Sequence, residues 1–371
     1  MKVKSLKFQN FRNLEDCVIY PCEGVNIIYG DNAQGKTNII EALWLFCGGH
    51  SFRTAGTREM IKWNTDFSRL ECEFFGQDRE QKASIGFSGS KKIVSINGVE
   101  KNSSSALIEK FCAVVFSPEN LSLIKRGPGE RRNFIDSAIC REKLKNAVTL
   151  SNYNRLIAQR NALLKDVLKN PGLEDTLDIW DTQIIRLGAR LTKQRLEFID
   201  LISKKAAEYH SGISGDKEKL KLKYISSVSA KSGDSEEEIE QKFFERCKLN
   251  RQNEIVCGVT LSGPHRDDVE VIINGKNAKT FASQGQQRSA VLSLKLAEAA
   301  VLRERMGEEP VILLDDVLSE LDSGRQDYLL NELEGCQVFI TCCERSNREQ
   351  LKKGSVFLVE NGKIKEMPQN S

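Results

Sequence analysis

The chain has 371 residues, 40% of them apolar and 29% charged; that is enough to bury a large core and more than one compact unit usually holds, so two domains are expected. Fifty-five basic against 52 acidic side chains leave a formal charge of +3, which excludes a polycationic tail as the source of any nucleic-acid binding and leaves local clusters to supply it. No run reaches the roughly 18 apolar residues of a membrane span, the opening MKVKSLKFQNFRNLEDCVIY lacks a signal-peptide core, and eleven cysteines without any C-x-x-C beside three histidines fit reduced thiols better than disulfides or zinc. A soluble cytoplasmic protein with no membrane partner is expected.

In chain order, strand-like runs at Val3–Phe8 and Val25–Tyr29 flank a polar connection through Asn10–Asn13, and the second leads into a glycine-bearing loop. Thr37–Phe46 reads as a helix, and residues 70 to 99 alternate as antiparallel strands with a hairpin signal at Asn97-Gly98. From Gly129 to Cys247 the period turns helical, broken at Asn170-Pro171-Gly172. Its longest uninterrupted stretch, Leu173–His210, would reach about 57 Å at 1.5 Å per residue. There Leu177, Trp180, Ile184, Leu187 and Leu191 recur at helical steps and are expected to pack. The acidic run Gly233–Glu240 opens another helix, capped by Asp234 or Ser235. Beyond Val256 the α/β pattern returns, with a turn at Asn274-Gly275, a helix over Arg288–Arg305 and buried strands at Val311–Leu314 and Gln337–Ile340. The fold class is therefore α/β: a nucleotide-binding head made from residues 1–128 and 251–371, with a mainly helical lobe, residues 129–250, inserted in it.

Gly30-Asp31-Asn32-Ala33-Gln34-Gly35-Lys36-Thr37 has the spacing of a Walker A phosphate loop and lies between a strand and a helix, as that loop requires. Gly30 and Gly35 let backbone N–H groups curl around phosphate oxygens, Lys36 neutralises the β and γ phosphates, and the Thr37 hydroxyl is a Mg²⁺ ligand. The strand Pro310–Leu314 runs into Asp315 and Asp316, at the edge where α/β sheets bind ligands. Asp315 is expected to hold the Mg²⁺ shell and Asp316 to orient or deprotonate the water that attacks the γ phosphate. ATP and Mg²⁺ are the cofactors so implied. Ser283-Gln284-Gly285-Gln286-Gln287, directly before a long helix, is either a second anion site or an ordinary helix cap.

That turn, the acid-ended strand and then Ser319-Glu320-Leu321-Asp322 follow one another as signature motif, Walker B and D-loop do in the ABC-type ATPases, which the chain resembles. Within them it resembles the RecF family of bacterial recombination proteins. ASQGQQRS (Ala282–Ser289) is similar to that family's signature, and FQNFRNL (Phe8–Leu14), GGHSFRT (Gly48–Thr54), FSPENLSLIKRGPGERRNFID (Phe116–Asp136) and GPHRDDVEV (Gly263–Val271) look like its further blocks. The resemblance implies an ABC-type P-loop head with an inserted helical lobe, and ATP held by Gly30–Thr37 and Arg12. It also implies Ser283, Gln284, Gly285 and Gln286 of a partner copy at the same ATP, in an ATP-dependent homodimer.

The family further implies a weak DNA-stimulated ATPase acting as a switch, in DNA repair, replication restart and the SOS response. It implies duplex DNA and single/double-strand junctions as ligands, recombination mediator proteins as partners, and a nucleoid-associated location. The alternative is an SMC-like or other ABC-type ATPase without a repair role. Asp316 stands where most ABC proteins have Glu, and Thr341 where transporters carry a switch histidine.

Basic residues cluster at Lys125, Arg126, Arg131 and Arg132, at Arg141, Lys143 and Lys145, and at Lys217, Lys219, Lys221 and Lys223, the last set forming one face of an edge strand. Each cluster is either a contact to the DNA backbone or a solvated face; no base-reading element is evident, so sequence-specific recognition is not expected. Arg53 reads equally as a neighbour of nucleotide or DNA and as a satisfied loop arginine, while a structural loop role is expected for His265 and Arg266.

Overall fold

The computed structural model describes residues 1–48, 50–53, 56–343 and 354–368; Gly49 and Thr54 of the GGHSFRT block lie outside them. The chain divides into two compact units, Met1–Leu121 with Glu298–Ser371, and Ser122–Ala297.

Two six-stranded sheets build the first unit. One runs in the order Lys363–Met367, Gly354–Glu360, Val25–Tyr29, Val338–Cys342, Val311–Asp315, Ala113–Phe116, parallel except for the hairpin at its first edge. Every residue of Val338–Cys342, Val311–Asp315 and Ala113–Phe116 is buried. Unbroken apolar runs of this kind are what a parallel sheet covered on both faces demands. Parallel pairing also puts the carboxyl ends of adjacent strands along one edge, so Tyr29, Cys342 and Asp315 all emerge there.

The other sheet is antiparallel, in the order Cys17–Ile19, Lys2–Gln9, Phe67–Gly76, Arg79–Ser88, Lys91–Ile96, Val99–Lys101. Its alternation is that of a half-covered sheet: Leu70, Cys72 and Phe74 are buried while Arg69, Glu73 and Phe75 face out. Asn97 and Gly98 turn between paired Ile96 and Val99 with φ of 50° and 80°, the left-handed pair a two-residue hairpin needs. Phe111 ties this sheet to the helix Lys36–Leu45 through edge-to-face contacts with Phe74 at 5.2 Å and with the helix C-cap Phe46 at 6.1 Å.

The second unit contains the helices Pro128–Glu142, Leu144–Lys169, Leu177–Ser214 and Glu236–Cys257. In the 38-residue helix Leu177–Ser214, Leu177, Ile184 and Leu191 are buried, and Trp180 and Leu187 pack partly buried against the core cluster that includes Tyr153, Ile239 and Phe243, so the helical stripe is a packing face. That helix starts four residues later than the sequence pattern suggests because Pro171–Thr176 winds as a 3₁₀ turn, and it stops where Gly215 turns left-handed. Of the two expected caps for the acidic helix, Ser235 serves: its hydroxyl accepts the Glu238 N–H while the Glu238 carboxylate accepts the Ser235 N–H.

The boundaries of the inserted lobe differ from those read in the sequence. It begins at Ser122 and runs to Ala297, not from 129 to 250, because Asp268–Ile273 pairs antiparallel with Leu220–Ile225, Val269 opposite Tyr224. Pairing across that many residues draws the later strand, its hairpin partner Lys276–Asn277 and the turn Ser283–Gln287 into the inserted unit.

No disulfide joins any of the described cysteines, and among the described residues no helix is long and apolar enough to cross a membrane.

Candidate nucleotide-binding site

The loop from Gly30 to Gly35 leaves the buried strand Val25–Tyr29 and enters the helix Lys36–Leu45. Its geometry depends on its glycines. Gly30 has φ 153°, and a Cβ there would lie 2.2 Å from the Val359 carbonyl oxygen of the neighbouring strand. Gly35 has φ 115° and caps the helix without a side-chain hydrogen bond to its first turn, so the positive end of the helix is open to an anion. Asn13 braces the loop from outside: its amide donates to the Ala33 carbonyl at 3.3 Å and its oxygen accepts from Asn38 at 2.6 Å. Lys36 is buried and its ammonium lies across the loop, donating to the carbonyls of Gly30 at 2.6 Å and Asp31 at 2.9 Å and to the Cys343 sulfur at 3.3 Å. Asp31, Asn32 and Ala33 are exposed, and Asn32 Oδ1 accepts the Cys343 thiol at 3.0 Å.

Asp315 sits beside this loop because strand register puts it there. The Thr37 hydroxyl donates to Asp315 Oδ1 at 2.9 Å, and the Thr341 hydroxyl donates to the same oxygen at 2.8 Å. Thr341 is the register partner of Asp315 on the adjacent strand. Burial pushes the Asp315 carboxyl above the ordinary range and the neighbouring Asp316 charge adds to this, against the two threonine bonds and the Arg53 charge. Thr341 Oγ1 also accepts the Asp316 N–H at 2.9 Å. Asp316 itself has φ 52°, a left-handed conformation that costs a non-glycine residue roughly 1–2 kcal/mol. Ser319 holds it, its hydroxyl facing the Asp316 carbonyl at 2.9 Å and carboxylate at 3.2 Å. Strain of this kind persists only where surrounding bonds fix it, as those of Ser319 and Thr341 do here.

Thr341 thus takes a structural part in the site that spacing alone does not show; the signal in the sequence is a hydroxyl at the carboxyl end of an otherwise apolar strand. A second group that motif spacing misses is Glu41, fully buried on the phosphate-loop helix. Arg12 binds it with two parallel bonds, Nε to Oε2 at 3.0 Å and Nη2 to Oε1 at 2.7 Å, and Ser51 donates to it as well. Arg53 donates to Asn38 Oδ1 at 2.7 Å and lies 3.8 Å from Glu41. Arg12 and Arg53 therefore meet at one buried carboxylate directly behind the phosphate loop, and the glutamate in the middle of the apolar run IIEALWL is the signal for it.

In the second unit, Ser283 caps the helix Gln284–Met306: its hydroxyl accepts the Gln286 N–H at 3.2 Å while Gln286 Oε1 accepts the Ser283 N–H at 2.9 Å. Ser283 and Gln284 are exposed, Gly285 and Gln286 half-buried, and Gln287 anchors the turn from below through the Ala278 carbonyl at 2.9 Å. In the first unit Asp322, at the end of the D-loop-like segment, caps Ser323–Glu332 through the Arg325 N–H at 3.0 Å.

The basic clusters separate once folded. Arg131 is buried and forks onto Asp268 at 2.8 and 2.9 Å, Arg132 donates to the Asp267 carbonyl at 2.7 Å, and Arg141 is buried against the Ser137 carbonyl at 3.0 Å. These three hold the fold, whereas Lys125, Arg126, Lys143, Lys145, Lys217, Lys219, Lys221 and Lys223 are exposed. His265 bonds Tyr153 Oη at 2.8 Å and the Thr260 carbonyl at 3.1 Å, and Arg266 donates to that same carbonyl at 3.0 Å, both structural loop contacts.

The sequence profile described as RecF/RecN/SMC N terminal domain matches residues 2–365. A DNA replication and repair protein RecF from Acetivibrio thermocellus is 40% identical over 347 residues, covering 93% of this chain and 94% of that protein. Its counterpart from Agathobacter rectalis is 40% identical over 370 residues, covering 98% and 99%. The chain belongs to the RecF family. Among solved structures, that of the recombination mediator protein RecF-ATPrS in the RecFOR pathway superposes on this RecF-family chain with a TM-score of 0.93 at 35% identity, covering 99% of this chain and 98% of that one. An Smc head bound to the C-winged helix domain of ScpA superposes with a TM-score of 0.58 at 14% identity, covering 99% and 97%, and shows that the fold is that of an Smc head.

Proposed function

We propose that this RecF-family protein is an ATP-dependent DNA-binding protein of recombinational repair and replication restart, a switch closed by ATP and opened by slow hydrolysis. The observation that carries the reading is the meeting of Thr37 and Thr341 on one oxygen of buried Asp315, which leaves the other oxygen for a cation. That donor set fits Mg²⁺, which takes one or two carboxylates, a hydroxyl and phosphate oxygens rather than an all-protein cage. Gly30 to Thr37 and Arg12 would hold the nucleotide, with Lys36 as the phosphate cation and Glu41 fixing the Arg12 guanidinium beside the loop. Thr37 and Asp315 would hold Mg²⁺, which would neutralise phosphate charge there.

Asp316, held by Ser319 and Thr341, is the group to orient a water and accept its proton. Two solved relatives, each 35% identical to this chain, are the RecF-ATP and RecF-ATPrS forms of the recombination mediator, which supports ATP as the nucleotide. Ser283, Gln284, Gly285 and Gln286 present a helix N-terminus that would face the ATP of a second copy, in a homodimer. Duplex DNA and single/double-strand junctions are the ligands, met through exposed lysines at the phosphate backbone, and recombination mediator proteins are the partners that help load a recombinase at gaps.

Light scattering with and without ATP tests this. Wild type is expected to double in mass with ATP, Asp316→Asn to stay dimeric longer because an amide cannot take the proton, and Ser283→Arg to bind ATP as a monomer without pairing. Lys36→Ala should lose ATP binding with an unchanged circular dichroism spectrum; wild-type nucleotide affinity in that variant would sink the phosphate-loop assignment.

A further inference from the structure

The half-buried Gln286 of the turn Ser283–Gln287 has both ends of its amide committed. Its oxygen accepts the Ser283 N–H at 2.9 Å, and its nitrogen donates to Glu218 Oε1 at 2.8 Å. Glu218 therefore decides which way the amide faces: with the NH₂ drawn to the carboxylate, the oxygen is left for Ser283, and the capping turn closes. Glu218 is held in turn. Its second oxygen lies 3.0 Å from Nε2 of His210, a fully buried ring whose Nδ1 lies 3.2 Å from the Ser293 hydroxyl. A carboxylate can only accept, so Nε2 carries the ring proton and donates it to Glu218 Oε2, while the Ser293 hydroxyl lies between Nδ1 and the Ser289 carbonyl, 2.8 Å away. The chain of contacts runs from the last turn of Leu177–Ser214 through Glu218 to the first turn of Gln284–Met306, entirely within the second unit.

We infer that Glu218 is a positioning residue of the signature turn: it sets the Gln286 amide, and through it the Ser283 cap, for the role in the partner's ATP site given above, a reading on which this inference rests. The requirement is for an acceptor toward Gln286, not for a charge. Glutamine at 218 can accept from Gln286 with its oxygen and donate to Nε2 with its nitrogen once the ring proton moves to Nδ1, where the Ser293 hydroxyl accepts it and still donates to the Ser289 carbonyl. Leucine of similar size can do neither.

The test compares Glu218→Gln and Glu218→Leu with wild type in two measurements. Amide hydrogen exchange on the nucleotide-free protein should show residues 283–287 deprotected at least tenfold in Glu218→Leu and unchanged in Glu218→Gln; equal protection in all three overturns the inference. In light scattering with ATP, Glu218→Gln should pair as wild type does. Glu218→Leu should pair at least tenfold more weakly with unchanged monomer affinity for ATP. Pairing of Glu218→Leu as tight as wild type overturns the functional half of the inference even with a loosened turn, as does loss of pairing in Glu218→Gln, which would mean the charge matters. Failure of wild type itself to pair overturns the trans-site reading and that half with it, and the exchange result still decides whether Glu218 positions the turn.

Discussion

At the scale of single residues, the site sets a buried carboxylate against its own stability. Asp315 has a raised pKa through burial, so it holds its proton more tightly folded than unfolded. Stability from this group is present at low pH and is lost as pH rises through the unfolded value toward the folded one; at neutral pH its ionised form is a net cost. Asp315→Asn keeps an oxygen to accept from Thr37 and Thr341 and removes the charge. The variant is expected to melt at or above the wild-type temperature at pH 7.5 while losing Mg²⁺-dependent ATP binding; a lower melting temperature would show that the charge is offset within the fold.

His265 supplies the opposite case. Burial lowers its pKa from 6.5 to about 4, in keeping with a neutral ring that accepts from Tyr153 and donates to the Thr260 carbonyl. Because the unfolded state takes up the proton first, stability is lost as pH falls from 6.5 toward 4, by roughly 3 kcal/mol at about 1.4 kcal/mol per unit. Urea denaturation at pH 7 and pH 4.5 should show that loss in wild type and a smaller one in His265→Gln.

At the scale of elements, helix crossing dominates the inserted lobe. Gly188 lies within Leu177–Ser214, and a Cβ there would stand 2.4 Å from Phe243 Cε1 and 3.1 Å from Tyr153 Cε2. Alanine in a helix interior ordinarily gains about 1 kcal/mol over glycine. Here it must displace two ring atoms in a packed core, an overpacking cost of about 1–3 kcal/mol, so Gly188→Ala is expected to destabilise by about 1 kcal/mol, the middle of that cost less the propensity gain. A midpoint of urea unfolding equal to or above that of wild type would mean the two rings can move aside cheaply. The same crossing makes the long helix a packed arm instead of a free coiled coil, since its apolar stripe is already covered by Leu144–Lys169 and Glu236–Cys257.

For the whole molecule, DNA affinity should follow assembly. With a net charge of +3 and Arg131, Arg132 and Arg141 tied up inside the fold, one copy offers the phosphate backbone only the exposed remainder of its clusters, each cation worth a modest, salt-sensitive increment. Two copies joined by ATP would place their exposed lysines on one duplex, and linked contacts gain far more than a factor of two. Affinity for a duplex of arbitrary sequence is expected to rise at least tenfold with ATP, and the slope of log affinity against log salt to steepen. Equal affinity and equal slope with and without ATP, at concentrations where pairs form, would leave an ATPase indifferent to DNA.

Local chemistry was enough to determine the glycine-bearing loop between strand and helix, the acid-ended strand and the α/β class, because glycine conformations and apolar runs act within a few residues of themselves; the helix read from Arg288 begins one turn earlier, at Gln284, because Ser283 caps it. Val25–Tyr29 forms as its composition demands, and Asn97-Gly98 turns as that pair must. What only the tertiary structure decided depends on partners far apart in the chain. Strand register brought Thr341 to Asp315 across 26 residues, and strand pairing moved the lobe boundary from 250 to Ala297. An ion pair spanning 137 residues turned Arg131 from a candidate DNA contact into a brace, and a bond spanning 68 tied Glu218 to the turn Ser283–Gln287. Propensity and pattern carry no information about which distant groups will share a buried site; packing chooses them, since a buried polar group must find its partner wherever the fold delivers one.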